Sequence, residues 1–255
     1  MIDGMEGTRD PSAYRERRSA VAGITVWTRV TDGSASWIVP DGCIDVLWNG
    51  ADLTVAGPDT TAHRASAPSG TAYTALRFDS GVAPTVLRFA ADGLRDHRPH
   101  LADVIGADDA ERLTESLLKT DDPSMELERW AGRRLAIAGG RDRTMCHVAA
   151  LIGDGQPVSD VAAKVGFSER QLNRRSLTSF GYGPKMLARV LRLHRALGWA
   201  RDGMPLVHAA LAAGYGDQAH FARDVRALTG QTASQVVGSA ANRSTPLPSG
   251  SRNVA

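Results

Sequence analysis

Residues 158–237 carry one short pattern twice, and no other feature of the sequence restricts the fold as strongly. The first copy runs Val161-Ala162-Ala163-Lys164-Val165-Gly166-Phe167, followed by Leu172-Asn173-Arg174 and Gly181. The second runs Ala209-Ala210-Leu211-Ala212-Ala213-Gly214-Tyr215, followed by Phe221-Ala222-Arg223 and Gly230. The offset is 48 residues at the first glycine and 49 from Leu172/Phe221 onwards, so the second copy has one extra residue in its turn. Each copy reads as a helix-turn-helix. Ala162 and Ala210 are small enough for two helices to approach closely, and Gly166 and Gly214 permit the sharp turn between them. Phe167 and Tyr215, with Leu172 and Phe221, close the core of each unit. Ser168 and Asp217 suit the N-cap of the second helix. Two helices at a steep angle leave the start of that second helix free to enter a major groove.

Between the copies, Pro184–Arg201 has a long helical pattern opening on proline. Its apolar surface comes from Met186, Leu187, Val190, Leu191, Leu193, Leu197 and Trp199, while Lys185, Arg189, Arg192 and Arg195 fall on other faces. Eighteen residues at 1.5 Å each span roughly 27 Å, close to the roughly 34 Å between successive turns of a duplex. Charge follows the same division. The chain of 255 residues has a formal net charge of only +2, but residues 1–155 contain 17 Lys+Arg against 23 Asp+Glu and residues 156–238 contain 11 against 5. An acidic part of −6 therefore precedes a basic part of +6, and only the basic part suits a polyanion.

The preceding residues have a different texture. Ile44, Val46 and Trp48 alternate with Cys43, Asp45 and Leu47, and Asn49-Gly50 joins this run to Leu53–Ala56, which predicts a hairpin. Pro40-Asp41-Gly42 supplies a second turn after Trp37–Val39. Ile24–Val30 and Ala72–Phe78 add further strands, giving a small antiparallel sheet, sandwich or half-barrel. After Pro84 helices take over: Asp108–Lys119, then a helix capped by Asp122-Pro123 that presents Leu127, Trp130 and Arg134 on one face, then Arg141–Ile152. The glycine-rich break Gly153-Asp154-Gly155 coincides with the change of charge sign. The expected fold class is therefore α+β, a small antiparallel β domain followed by an all-α double helix-turn-helix domain. The expected divisions are a flexible N-terminus over 1–20, a β domain over 21–106 and a helical linker over 107–153. A DNA-binding domain over 154–238 and a disordered tail over 239–255 complete the layout.

The repeated segment resembles the AraC family of bacterial transcription regulators. The resemblance rests on the stretch Val158–Arg175, on Gly181–Leu197 (GYGPKMLARVLRLHRAL) and on Ala213–Gly230 (AGYGDQAHFARDVRALTG). It implies a seven-helix unit with two helix-turn-helix subdomains and a bridging helix. Carried over by position, it implies DNA contacts from Arg170, Gln171, Asn173 and Arg174 in the first recognition helix, and from Gln218, His220 and Arg223 in the second. The chemistry agrees, since Arg pairs bidentately with guanine and Asn or Gln with adenine, although phosphate contact by the same side chains would position without reading sequence. Ser176 and Val225 stand where the family usually has a core phenylalanine, and Thr232-Ala233 replaces its common Thr-Pro. The N-terminal stretch Trp37–Trp48 (WIVPDGCIDVLW), with Val55–Thr60, Leu76–Pro84 and Leu94–Gly106, is similar to a short cupin-like sensor domain.

Cupin folds also host metal oxygenases, so a cupin-type metal enzyme with an appended helical domain is the competing reading. Among the histidines considered, His63, His97, His100 and His147, none forms an H-x-H pair on a strand, and no metal, cofactor or catalytic residue is expected. Cys43 and Cys146 are too few for a disulfide framework, and Cys43 lacks the basic neighbours that activate a thiol. Trp27, Trp37 and Trp48 fit either a core or an apolar pocket. No run reaches the roughly 18 apolar residues of a spanning helix, and no secretory leader is evident. The sequence thus predicts a cytoplasmic regulator whose partner is double-stranded DNA, not a membrane, with a small-molecule effector, a second copy of the chain and RNA polymerase as further candidates.

Overall fold

The computed structural model describes residues 14–238. The expected tail over 239–255 and the first thirteen residues lie outside them. Among the described residues, seven strands precede eleven α-helices. The strands are β1 (Arg15–Arg18), β2 (Ile24–Val30), β3 (Ser36–Ile38), β4 (Ile44–Trp48), β5 (Leu53–Ala56), β6 (His63–Ala65) and β7 (Ala72–Phe78). They form a five-stranded antiparallel sheet in the order β1-β2-β7-β4-β5 and a two-stranded ribbon, β3-β6.

Register gives the large sheet two unlike faces. Ile24 and Val26 of β2, Ile44, Val46 and Trp48 of β4, and Leu76 and Phe78 of β7 point to one side and are buried. That side packs on α1 (Ala83–Leu87), α3 (Ala107–Leu118) and α4 (Pro123–Ile137), whose Val86, Leu113, Leu127 and Trp130 belong to the same core. Period-two alternation dictates that Trp27, Arg29, Asp45, Leu47, Tyr73 and Arg77 face the other way.

Two expectations about this half are corrected and a third is refined. The N-terminal stretch read as flexible contains β1, where Glu16 pairs with Trp27 in the ladder, Tyr14 stacks on Trp27 at 5.7 Å and Arg17 forms a bidentate ion pair with Glu128. A charged strand with no apolar alternation left no signal for this. The helices α3 and α4, read as a linker, complete the core under the sheet. The Asn49-Gly50 hairpin exists, but its loop is four residues long. Only Gly50 takes a positive φ (95°), while the Asn49 side chain accepts hydrogen bonds from the backbone of Ala51 and Asp52.

The remaining helices are α5 (Arg143–Gly153), α6 (Val158–Lys164), α7 (Glu169–Phe180), α8 (Pro184–Arg201), α9 (Leu206–Ala212), α10 (Gln218–Thr229) and α11 (Ala233–Gly238); the short α2 (Leu101–Ile105) lies earlier in the chain. Helix α5 falls on the linker side of the expected boundary at 154. Its Met145, Val148 and Ile152 nevertheless pack with Val161, Leu172 and Leu187 in a second core, so it belongs physically with α6–α8. A third core gathers Leu193, Leu197, Ala210, Tyr215, Phe221 and Val236. Helix α8 serves both. It buries ten of its eighteen residues, including His194 and Arg195, because it is covered on nearly every side.

Candidate nucleic-acid interface and the cavity behind it

In the first unit α6 and α7 meet through buried Ala162 and Leu172, and Gly166 makes the turn with φ 69°. In the second, Ala210 and Phe221 do the same for α9 and α10, with Gly214 at φ 90°. Tyr215 is buried, whereas Phe167 is half-buried under the Arg175 guanidinium at 4.7 Å. Both expected N-caps are in place. Ser168 Oγ accepts from the Gln171 backbone in a reciprocal capping box, and Asp217 accepts from the backbone of His220.

Capping fixes which side chains are free. Arg170, Asn173 and Arg174 are exposed near the start of α7, and Gln218 and Arg223 on α10. Gln171 is exposed too, but its Oε1 accepts from the Ser168 backbone at 2.9 Å, so it is occupied in holding the helix start. His220 is half-buried and meets Tyr215 edge-on at 5.1 Å. The cations of α8 are less available than its sequence suggests. Arg195 donates to the carbonyls of Gly153 and Ala213, tying the first unit to the second, and Arg189 and Arg192 both pair with Asp224 of α10. Lys185 alone of the four is exposed. Exposed positive charge in this part of the chain therefore comes more from α7 and α10 than from α8.

Ser176 and Val225, which stand in place of phenylalanines, are both fully buried. The Ser176 hydroxyl finds no hydrogen-bond partner among the described residues. Ser176→Ala should accordingly raise stability by about 1 kcal/mol, since it removes a buried, unsatisfied polar atom. A urea denaturation curve with lower midpoint would show that a water or a neighbour satisfies it.

The polar face of the sheet is roofed by the β3–β6 ribbon and by α8, and between them lies a cavity of about 640 Å³. Trp27, Leu47 and Tyr73 line it from the sheet. At one end Arg77 pairs with Asp45 at 3.3 Å and Asp41 at 3.6 Å, and Trp27 Nε1 donates to Asp45. At the mouth of β6, Arg98 pairs with Asp59 at 2.6 Å beside His63. Of these, the sequence pointed only to Trp27 as a pocket residue; it missed Arg77, Asp45, Asp59 and Arg98, although alternation within each strand places Arg77 and Asp45 opposite the apolar face. Cys43 also lines the cavity, and burial pushes its thiol pKa up, which makes it inert. His97 bonds the carbonyl of Arg95, His100 bridges Thr54, and His147 is exposed on α5. Among the described residues no group of three or more His, Cys, Asp or Glu is placed to hold a metal ion, and no helix is long and apolar enough to cross a membrane.

The sheet domain also touches both helix-turn-helix units. Arg95 donates to the carbonyl of Gly181, the C-cap of α7, and the backbone N–H of Ala62 donates to the carbonyl of Leu228 near the end of α10. An N-terminal antiparallel sheet domain packed on two helix-turn-helix units with a shared central helix defines the class of the molecule. Comparison with known families bears on the second part: residues 161–238 match the family described as helix-turn-helix domain. No curated protein matches the chain. Among solved structures, ToxT from Vibrio cholerae O395 shares 8% identity over 84% of this chain and 96% of its own, with a TM-score of 0.45. Wild-type ToxT bound to an unsaturated fatty acid, from Vibrio cholerae strain SCE256, shares 10% identity over 87% and 97%, with a TM-score of 0.45.

Proposed function

We propose that the protein is a cytoplasmic, sequence-specific DNA-binding transcription regulator, not an enzyme, and that a small molecule in the cavity behind α8 controls it. The observation that carries this is the pair of capped recognition helices, each with exposed Arg and Asn or Gln near its start, fixed to one central helix. Such a pair suits two successive major grooves on one side of a duplex. The DNA-binding part comprises α5–α11, and the sheet with α1–α4 is the cupin-like sensor. A ligand acts by binding unequally to DNA-competent and incompetent arrangements. Homodimerisation and contact with RNA polymerase belong to the same reading, and sedimentation and transcription in vitro respectively measure them.

The test is binding to duplexes selected from genomic fragments, followed across a salt series. Arg174→Ala and Arg223→Ala should each cost about 1–3 kcal/mol of specific affinity and relax the preference at one base position. A loss uniform over all sequences would make these phosphate contacts. Unchanged affinity in both variants would remove α7 and α10 from the interface.

A further inference from the structure

The polar groups that line the cavity do not balance. Asp41 and Asp45 share Arg77, and Asp59 holds Arg98, which leaves Asp52 as the one lining carboxylate without an ion pair among the described residues. Three lining guanidinium groups, Arg29, Arg64 and Arg201, have no carboxylate within ion-pair distance among those residues. Arg29 donates to the Ser36 hydroxyl at 3.2 Å.

Two unsatisfied atoms sharpen the picture. Nδ1 of His194 and Nε of Arg201 are both buried without a hydrogen-bond partner among the described residues, and both residues line the cavity from α8. They are seven residues apart, two helical turns, and so lie on one face. His194 is only 3% exposed. A buried polar atom without a partner costs free energy, and a buried charge without one costs more. Burial moves both groups accordingly: the imidazole pKa falls to about 4 and that of Arg201 to about 10, so at neutral pH His194 is neutral and Arg201 is still a cation. Trp27, Leu47 and Tyr73 line the same cavity from the sheet and give it an apolar, aromatic floor.

We propose that the cavity takes an organic acid, its carboxylate on Arg201, its apolar body on the Trp27–Leu47–Tyr73 floor, and one further hydrogen bond from His194. The excess of unpaired guanidinium over unpaired carboxylate selects an anion, and a planar guanidinium fork matches a carboxylate bidentately. Because Arg201 and His194 belong to the helix that carries both recognition units, such a ligand contacts the DNA-binding domain directly. This deepens, and rests on, the reading of the chain as a ligand-controlled regulator.

The test uses the full chain with 8-anilinonaphthalene-1-sulfonate, an aromatic anion that fluoresces when bound in apolar surroundings. Displacement by 4-phenylbutyrate should be at least tenfold more effective than by 4-phenylbutylamine, which has the same ring and chain with the opposite charge. Arg201→Gln should weaken binding of the dye at least tenfold, and Arg201→Lys should recover part of it. Should Arg201→Gln not fold, the acid–amine contrast on the unaltered chain decides alone. Equal displacement by acid and amine, displacement by neither, or undiminished dye binding by a folded Arg201→Gln would each overturn the proposal. Binding to a selected duplex, measured in parallel on the unaltered chain, separates the two levels. Specific DNA binding without the acid preference sinks the organic acid alone, whereas absent specific binding sinks the regulator reading.

Discussion

Gly57→Ala should destabilise the protein by about 3 kcal/mol or more, lowering the melting temperature by roughly 6–12 °C for a chain of this size. Gly57 follows β5 and is buried, and its N–H donates to the carbonyl of His97. A methyl group there would lie 1.7 Å from the carbonyl oxygen of Leu94 and 2.6 Å from its carbon. Both are backbone atoms, so no side chain can swing aside. The strand must separate from the turn beneath it, and that turn is held by the Asp96 N–H on the Pro58 carbonyl and by Thr60 on Asp96. The consequence extends beyond the sheet domain. Pro58 lies against Gly181 at the end of α7, and Ala62 bonds the end of α10, so the displaced segment is the one that touches both recognition helices. DNA affinity should therefore fall along with stability. Gly198→Ala is the matched control: nothing lies within 4 Å of the added carbon, and in the interior of α8 alanine should stabilise by about 0.5–1 kcal/mol. Thermal melts followed by circular dichroism read both. Equal melting temperatures for the two variants would show that strand and turn are not in contact.

Much of this arrangement was legible in the sequence, and the reason differs from element to element. The two helix-turn-helix units were readable because their turn, caps and small residues are local requirements that each copy states for itself. Strands β2, β4, β5 and β7 were readable because one face of the sheet is apolar, and alternation records that. β6 and β1 carry His-Arg-Ala and Arg-Glu-Arg-Arg, and such sequences hold no apolar record of a partner far away in the chain. The cavity was invisible for a related reason. Arg29, Asp45 and Arg77 occupy positions that in an isolated antiparallel sheet would face water. Only the tertiary placement of α8 and the β3–β6 ribbon over that face converts them into the lining of a partly open cavity. The basic character of α8 misled in the opposite direction, because composition counts Arg189, Arg192 and Arg195 as surface charge while the fold uses them as internal fastenings.

The fastening at Asp224 bears the largest consequence of that kind. Asp224 lies on α10 and is 6% exposed, and its carboxylate accepts from Arg189 Nε, from Arg192 at 3.5 Å and from the Tyr215 hydroxyl at 3.0 Å. Arg192 also lies over the Tyr215 ring at 4.4 Å. Burial and the nearby carboxylate hold the Tyr215 phenol pKa above its ordinary value, so it remains a donor. Asp224→Ala strands that hydroxyl in the third core and leaves two guanidinium groups of α8 side by side at the α8–α10 seam without their shared carboxylate. The arginines are roughly one-third exposed and regain water, so the expected cost is about 2–4 kcal/mol rather than that of a fully buried pair. Tyr215→Phe, which removes only one hydrogen bond, should cost about 1 kcal/mol. The two variants share a partner and will not be additive. The functional signature separates this position from the residues proposed to read DNA. Arg223 is exposed on the same helix, so its loss should change preference at one base position, whereas loss of Asp224 lets α10 shift relative to α8 and weakens every sequence together. Urea denaturation with duplex titrations on both variants distinguishes them. An Asp224→Ala protein of undiminished stability would mean that the seam between α8 and α10 is held by its apolar contacts alone, and the two recognition helices would then owe their relative placement to Leu193, Leu197 and Phe221.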